Sequence, residues 1–311
     1  MKKLLLSAQF FLFVVFNFFL LLAGYQLVSS TDTMGRLGYA DPVYNSQEEY
    51  DPSLRRLNSI SKLTAYCDSL FDVGQQQSSN SVSYPEIATD VIRKRFYHGY
   101  SLYGLNKNYM AMALSKMSIP GLSAIVVPDD ILKYPFAACS QQSIVLMKLL
   151  QNKGYATRSV GFSGKITGHF TFETFYDGSW HYNDPNKEPD VNVLKAYNNP
   201  SIAFLNQNPD ILQKAYPQYS KEYVMDVFTT YTYGAVNTFP APRAILFQKV
   251  SLFLSYTMWS FFLLAFIWVR KKYKKLCLAT AHKKAIQFPV MKPVISSSHY
   301  PEYQNSLGLR V

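Results

Sequence analysis

Two long apolar runs without a charged residue lie near the two ends of the chain. The first covers residues 4–28 and the second covers residues 252–269. A helix needs about 20 predominantly apolar residues to cross the hydrocarbon core of a bilayer, and both runs approach or exceed that length. We therefore predict membrane-spanning helices over residues 4–28 and 249–269, which leaves residues 29–248 between them as one domain.

The first apolar run follows Met1-Lys2-Lys3, a basic start that is also typical of a cleaved signal peptide. Its apolar part is longer than the roughly 7–15 residues of a signal-peptide core, and no Ala-x-Ala cleavage site follows it. We favour an uncleaved signal anchor at residues 4–28 and keep a cleaved signal peptide as the alternative.

Between the two runs the pattern changes from helical spacing to strand-like segments and back. Helices that precede a compact group of adjacent strands predict an α+β fold. Two polar stretches, residues 30–58 and 75–83, are predicted as loops. The first overlaps by two residues with the helical spacing that begins at residue 57. The predicted helices are 57–73, 83–97, 108–117, 139–152, 191–197, 210–215 and 221–227, and the predicted strands are 155–162, 168–176 and 179–184.

The turn between the last two predicted strands decides which side chains share a face of the sheet. Asp177-Gly178 is a favoured two-residue hairpin turn. The register that it sets places His169 and Asp184 on one face as diagonal neighbours, about 7 Å apart at the backbone. His181 and Asn183 fall on the opposite face, because alternate residues of a strand point to opposite sides. The register therefore selects His169 and Asp184 as the pair that can hydrogen-bond.

The excess positive charge lies beside the two apolar runs. The chain has a formal net charge of +11, yet the domain between the runs holds 20 basic and 19 acidic residues. Lys2 and Lys3 precede the first run, and nine basic residues against one acidic residue follow the second. By the positive-inside rule, residues 1–3 and the basic tail 270–311 are cytoplasmic, and the domain is extracytoplasmic, in a periplasm or on a cell surface. The charge thus indicates a lipid bilayer as partner and no nucleic acid.

Cys139 begins the predicted helix 139–152, and this position suits a reactive thiol. The N–H groups and dipole of a helix N-terminus stabilise a thiolate, which is the nucleophilic form of cysteine. His169 would act as its acid and base, and Asp184 would orient His169. A thiolate, an imidazole and a carboxylate in this relation predict acyl transfer through a thioester, completed by water or by an amine.

The other cysteines leave one alternative open. Cys277 lies in the predicted cytoplasmic tail, so only Cys67 could form a disulfide with Cys139 in the outer domain. Cys67 could equally be a small buried side chain beside a free Cys139. His98 and Cys67 do not make a zinc motif, and the sequence has no Gly-x-x-x-x-Gly-Lys phosphate loop. We expect neither a metal nor a cofactor.

Five features in order resemble the transglutaminase-like superfamily. They are Cys139 with its helix, residues 154–162 with Ala-Thr-Arg-Ser-Val-Gly, Gly168-His169, Asp177-Gly178-Ser179-Trp180 and Asp184-Pro185. The resemblance covers about residues 130–190. It implies a papain-like core, in which the cysteine-bearing helix packs on an antiparallel sheet, and a triad of Cys139, His169 and Asp184.

The chain departs from that family pattern just before the nucleophile. Ala137-Ala138 precede Cys139, where the family often has glycine at the second position. The family also often uses an upstream aromatic residue or glutamine at the oxyanion site. Tyr109 and Tyr134 are candidates for that role, and the sequence does not choose between them.

The sequence therefore predicts a membrane-anchored cysteine enzyme whose triad is Cys139, His169 and Asp184. It would be a peptidase, deamidase or transamidase that acts on a protein or peptide substrate outside the cytoplasm. The alternative is a catalytically inactive, membrane-tethered binding or assembly module with the same fold.

Overall fold

The computed structural model describes residues 1–29, 40–46, 48–77, 82–117, 119, 121–165 and 167–287. Its architecture is α+β, as predicted. A short 3₁₀ helix, Pro52–Arg56, lies between α1 and α2. The helices are α1 (Lys2–Val28), α2 (Ile60–Gln77), α3 (Tyr84–Arg95), α4 (Leu105–Met117), α5 (Pro128–Ile131), α6 (Cys139–Asn152), α7 (Val191–Ala196), α8 (Ile202–Gln207), α9 (Pro209–Ala215), α10 (Lys221–Phe228) and α11 (Pro242–Gln287). The strands are β1 (Tyr97–His98), β2 (Phe136–Ala137), β3 (Ala156–Ser163), β4 (Gly168–Tyr176), β5 (Ser179–Asn183) and β6 (Tyr231–Tyr233).

Two of these helices are long and apolar enough to cross a membrane. They are α1 and the segment Pro242–His282 of α11, with mean hydropathies of 2.3 and 1.9 in their most apolar windows. Helix α11 has 46 residues, which corresponds to a length of about 69 Å at the helical rise of about 1.5 Å per residue. That length is more than twice the thickness of a bilayer core, about 30 Å. Helix α11 is therefore long enough to extend beyond the hydrocarbon core.

The chain divides into two compact units. One unit consists of Met1–Phe16 with the described residues from Phe261 onward, and the other consists of the described residues of Asn17–Ser260. In the first unit, the rings of Phe13 and Phe266 lie 5.9 Å apart. The second unit contains the whole of the sheet and all the predicted site residues.

A four-stranded antiparallel sheet with the order β5-β4-β3-β6 divides the second unit into two cores. On one side, Phe172 of β4 belongs to a core formed mainly by α2, α3 and α6. On the other side, Val160, Phe162 and Tyr182 pack against α7–α10. The sheet therefore carries apolar side chains on both faces, and the two faces meet different groups of helices.

The predicted hairpin and its register are confirmed. Strand β4 pairs with β5 so that Tyr176 lies opposite Ser179 and Glu173 opposite Tyr182. Asp177 and Gly178 have φ values of 47° and 77°. Two central residues with positive φ are what the tight hairpin turn compatible with strand twist requires.

Elsewhere the structure corrects the sequence-based boundaries. The loop predicted over residues 30–58 contains the helix Pro52–Arg56, which Asp51 caps by accepting the Ser53 N–H at 2.8 Å. The loop predicted over 75–83 begins late, because α2 continues through Gln77; residues 30–39, 47 and 78–81 lie outside the described part. Glutamine is a good helix former, and its polarity alone does not end a helix. The predicted strands missed β1, β2 and β6, whose two or three residues are too few to show alternation.

Arg158 connects the four strands of the sheet. Its Nη2 lies 2.6 Å from Oε2 of Glu173, whose side chain is fully buried. The same guanidinium lies over the rings of Trp180 and Tyr233, with its carbon 4.2 and 3.8 Å from the ring centroids. Glu173 also accepts the Ile202 N–H at 2.7 Å through its other oxygen. Arg158 on β3 thus contacts β4, β5 and β6.

Replacing Arg158 by leucine is expected to lower the free energy of unfolding by about 3–5 kcal/mol, because it leaves the buried Glu173 carboxylate without its cation. Urea denaturation of the full chain in detergent micelles measures the change. The double variant Arg158→Leu/Glu173→Gln removes the unpaired charge but keeps an acceptor for Ile202, so it should recover much of the loss. If the double variant is no more stable than Arg158→Leu, the buried charge is not the cause.

Candidate active site

The nucleophile candidate occupies the first residue of α6. Cys139 follows Ala138, whose extended backbone serves as the N-cap of the helix. Alanine has no side chain that can cap, but Gln141 reaches back from the third helical position and accepts the Ala138 N–H at 3.1 Å. This contact is the glutamine half of a capping box. It fixes the backbone immediately before Cys139.

The structure brings the three predicted site residues together. The Cys139 thiol, which is partly exposed, lies against the His169 imidazole and the backbone N–H of Phe170. His169 Nε2 lies 2.8 Å from Asp184 Oδ2, and both side chains are fully buried. Asp184 occupies Nε2, so the other ring nitrogen, Nδ1, which has no hydrogen-bond partner among the described residues, is available to the thiol.

The sheet positions His169 and Asp184. His169 lies on β4 directly opposite Phe162 of β3, and the two rings stack with centroids 5.8 Å apart. Asp184 is the residue that follows the last residue of β5. The Thr171 hydroxyl donates to the backbone oxygen of Asn183, which holds the end of β5 against β4. The strand pairing thus brings the imidazole and the carboxylate together, as the hairpin register predicts.

Four donors besides His169 bind the Asp184 carboxylate. Tyr216 and Tyr182 donate their hydroxyls to Oδ2, at 2.8 and 3.2 Å. The backbone N–H groups of Asn186 and Lys187 donate to Oδ1, at 3.2 and 3.1 Å. A buried carboxylate that accepts this many hydrogen bonds keeps its charge. Asp184 is therefore held both in position and in its ionised form.

The pKa values of the three groups shift in the directions that favour an ion pair. Burial raises the pKa of the Cys139 thiol, but His169 and the Phe170 N–H outweigh it, so the pKa lies below its ordinary value. Burial lowers the pKa of His169, but Asp184 and Cys139 raise it, with a net rise to about 9. For Asp184 burial is opposed by His169, and its pKa is lowered. The shifts of Cys139 and His169 both favour the thiolate–imidazolium pair over an ordinary thiol and imidazole.

A tyrosine outside the two sequence candidates interacts electrostatically with Cys139. Tyr109 packs on Phe19, with ring centroids 5.9 Å apart, and Tyr134 packs on Phe136 at 5.6 Å. Tyr100 instead lies near Cys139: burial raises the pKa of its hydroxyl, and the Cys139 thiolate raises it further. Its ring is half exposed. No spacing in the sequence indicated Tyr100, because it reaches the site through a loop that precedes α4.

Tyr216 is a second residue that the sequence did not reveal. It follows α9, and its ring stacks on Phe228 with centroids 4.4 Å apart. Its hydroxyl contacts both Asp184 and the Tyr182 hydroxyl, the latter at 2.9 Å. The resemblance ends near residue 190, so Tyr216 lies beyond it. A tyrosine in a region of short helices gives no local signal for a contact with a residue 32 positions earlier.

The disulfide alternative is wrong for this structure. Cys67 and Cys139 are both free, and Cys67 is buried in the core formed by α2, α3 and α6. Burial raises the pKa of the Cys67 thiol to about 12. Cys67 is therefore an unreactive packing residue, and Cys139 is available as a thiol.

A cavity of about 420 Å³ lies next to the triad but does not include the thiol. Its walls include Asn183 and Asp184 together with residues of α3 and α7. Neither Cys139 nor His169 lines it, so a carbonyl group under attack by the thiol would not bind there. Within the described residues, no group of three or more His, Cys, Asp and Glu side chains is arranged to hold a metal ion.

Comparison of the chain with protein-family models, with curated proteins and with solved structures finds no match. The site is therefore interpreted from its own geometry. A thiol at a helix N-terminus lies beside an imidazole, and the imidazole is hydrogen-bonded to a carboxylate. This is the relation of nucleophile, base and orienting group.

Proposed function

We propose that this chain is a membrane-anchored cysteine enzyme that transfers or hydrolyses acyl groups through Cys139, His169 and Asp184. The observation that carries the proposal is the order of contacts: thiol against imidazole, and imidazole Nε2 on a carboxylate that is buried and ionised. Helix α6 begins with the cysteine and packs on an antiparallel sheet. This arrangement supports a papain-like core of the transglutaminase-like kind.

In the first half-reaction, the Cys139 thiolate attacks a carbonyl carbon, and the carbonyl electron pair moves onto oxygen. The N–H groups of Cys139 and Ser140 at the start of α6 would stabilise that oxyanion, because the first donors of a helix have no partner within the helix. When the intermediate collapses, the carbon–nitrogen bond breaks, and the His169 imidazolium gives its Nδ1 proton to the departing amine. The product is a thioester on Cys139 and a neutral imidazole.

In the second half-reaction, His169 accepts a proton from the group that attacks the thioester. Water yields a carboxylic acid, which is hydrolysis, and an amine yields a new amide, which is transamidation. In both cases the carbon–sulfur bond breaks and the thiolate returns. Asp184 keeps its charge throughout and stabilises the imidazolium each time that it forms.

In this proposal the domain that carries the triad lies outside the cytoplasm. The two apolar helices supply the membrane attachment, and the basic residues after the second run orient it by the positive-inside rule. Protein or peptide chains outside the cytoplasm are then the substrates.

Alkylation of Cys139 across pH tests the proposal. We expect the iodoacetamide rate at Cys139 to reach half its plateau below pH 8.5, the approximate pKa of an ordinary thiol. Peptide mass spectrometry identifies the labelled cysteine, and Cys67 serves as the internal control because its raised pKa leaves it unlabelled. An inflection at or above pH 8.5 would instead support the inactive binding module.

Formation of an acyl-enzyme is the second readout. With p-nitrophenyl acetate, the unmodified chain should release a burst of nitrophenol and carry an acetyl group on Cys139. The Cys139→Ala variant should show no burst. Equal bursts in both proteins would refute a nucleophilic Cys139.

A further inference from the structure

One buried glutamine in α11 binds the backbone of a loop near the active site. Gln248 is almost fully buried and lies just before the apolar run that begins at residue 252. Its Nε2 donates to the backbone oxygens of Ala124 and Leu122, at 2.5 and 3.4 Å. Its Oε1 accepts the Val126 N–H at 3.0 Å. The side chain therefore fixes residues 122–126 with three directional hydrogen bonds.

Residues 122–126 are in turn bound to the loop that carries Tyr100 and to α6. The Ile125 N–H donates to the Ser101 oxygen at 3.0 Å. The Ile125 oxygen accepts from Gln141 Nε2 at 2.8 Å. Ile125 thus contacts, through its backbone alone, both the residue after Tyr100 and the third residue of the nucleophile helix.

Gln141 completes the connection. Its Oε1 accepts the N–H groups of Ser101 and Ala138, at 2.8 and 3.1 Å, and its Nε2 also donates to the Ser101 oxygen at 2.7 Å. The side chain is nearly fully buried. Gln248 therefore fixes the residues on both sides of Ile125, and hydrogen bonds continue from Ile125 through Gln141 to Ala138, the residue before Cys139.

We infer that Gln248 is a positioning residue for the Cys139 site, and that α11 holds the head of α6 and the Tyr100 loop in place through Ile125 and Gln141. This inference deepens the proposed function and rests on it. The active-site geometry then depends on the helix that contains the second apolar run.

An apolar side chain of similar length would fill the same space, but it could not fix residues 122–126 in this way. Packing contacts are not directional, whereas an amide must match each backbone donor and acceptor in distance and angle. A displacement of about 1 Å at a catalytic group can change a rate about 100-fold. A residue far from the thiol can therefore control its reactivity.

The Gln248→Met variant tests the inference in the full chain in detergent micelles, with Cys277→Ser to remove the other accessible thiol. Methionine keeps the length of the side chain and loses all three hydrogen bonds. We expect the alkylation rate of Cys139 at pH 7 to fall about 10- to 100-fold, and its pH inflection to move upward. A lower melting temperature with an unchanged pH inflection of Cys139 would overturn the inference, because a purely structural role of Gln248 changes only the melting temperature.

Ser251→Ala is the matched control. It lies three residues further along α11 and loses the buried bond from Asn108 Nδ2, 2.9 Å, but none of the bonds to residues 122–126. Its alkylation rate and inflection should equal those of the parent. A loss as large as that of Gln248→Met would show a general effect of α11 and refute the specific role.

Amide hydrogen exchange decides the inference separately from the chemistry of Cys139. In Gln248→Met we expect faster exchange at Val126, Ser101 and Ala138. Faster exchange at Val126 alone would end the connection at the loop and overturn the inference. If Cys139 is unreactive in the parent protein, the proposed function is refuted. Amide hydrogen exchange in Gln248→Met would still show whether Gln248 holds residues 122–126 and the start of α6 in place.

Should Gln248→Met not fold, Gln248→Glu replaces it. Glutamate keeps the acceptor for the Val126 N–H and loses the two donors, so its exchange at Ser101 and Ala138 should lie above that of the parent. Exchange equal to the parent at both positions would overturn the inference.

Discussion

Replacing His169 by glutamine is expected to abolish most of the reactivity of Cys139 at pH 7. The imidazole is what lowers the pKa of the thiol against the effect of burial. Without it, burial dominates, and the thiol falls to a few per cent thiolate or less at pH 7, since even an ordinary thiol has a pKa of about 8.5. Acyl transfer also loses its proton donor, so its rate should fall by about 10³-fold or more.

His181 provides the control for that experiment. It lies in the same hairpin, is also buried, and bonds through Nδ1 to the Asn199 oxygen at 2.7 Å. His181→Gln alters a buried histidine on the opposite face of the sheet and should leave the pH inflection of Cys139 unchanged. The comparison uses iodoacetamide labelling and the nitrophenol burst. Equal losses in the two variants would contradict the assignment of His169.

Replacing Asp184 by asparagine is expected to produce the second largest loss, about 10²- to 10⁴-fold in acyl transfer. The amide carries no charge to stabilise the imidazolium. The amide N–H₂ group is a hydrogen-bond donor, and it would face partners that are donors themselves. These partners are His169, Tyr216, Tyr182 and two backbone N–H groups. The imidazole then loses both its orientation and its raised pKa, and the pH inflection of Cys139 should move upward.

The same variant has an effect on stability at acid pH. The pKa of Asp184 is lower in the folded chain than in the unfolded chain. The carboxylate therefore stabilises the fold above its unfolded pKa, about 3.9, and this contribution is lost as the pH falls through the folded value. Asp184→Asn should be less stable at neutral pH and lose less stability on acidification. Denaturation curves at several pH values measure this difference.

The Tyr216→Phe variant distinguishes the effect of the Asp184 charge from the effect of a hydroxyl that binds it. It removes one hydroxyl donor from Asp184 Oδ2 and keeps the charge and the stacked ring. We expect a loss of less than about tenfold, because the carboxylate keeps its charge, its contact with His169 and three other hydrogen-bond donors. A loss as large as that of Asp184→Asn would mean that the hydroxyl, and not the carboxylate, controls His169.

The parts of the site that the sequence predicted all depend on local geometry. The Asp177-Gly178 turn fixed the register of β4 and β5, and this register alone brought His169 to Asp184. The start of α6 at Cys139 followed from helical spacing and from its end near Gly154. Such features need only neighbouring residues, so one sequence suffices to predict them.

The parts that the sequence did not predict depend on distant contacts. Tyr100, Tyr216 and Gln248 reach the site or its supports across long separations in the chain, the last by 122 residues to Val126. A tyrosine or glutamine is common on any surface, and nothing in its local pattern shows that its polar atom is buried against a particular partner. Strand β6 was missed for the same reason, because only its pairing with β3 identifies it as a strand.

The guanidinium of Arg158 has a consequence for the alignment of the strands. A slip of one residue between β4 and its neighbours would turn His169 to the other face of the sheet and separate it from Asp184. The same slip would remove Glu173 from Arg158 and leave a carboxylate buried without a cation. Misaligned forms of the sheet would bury an unpaired charge and are therefore less stable. The Arg158–Glu173 ion pair thus selects the one alignment in which the triad can form.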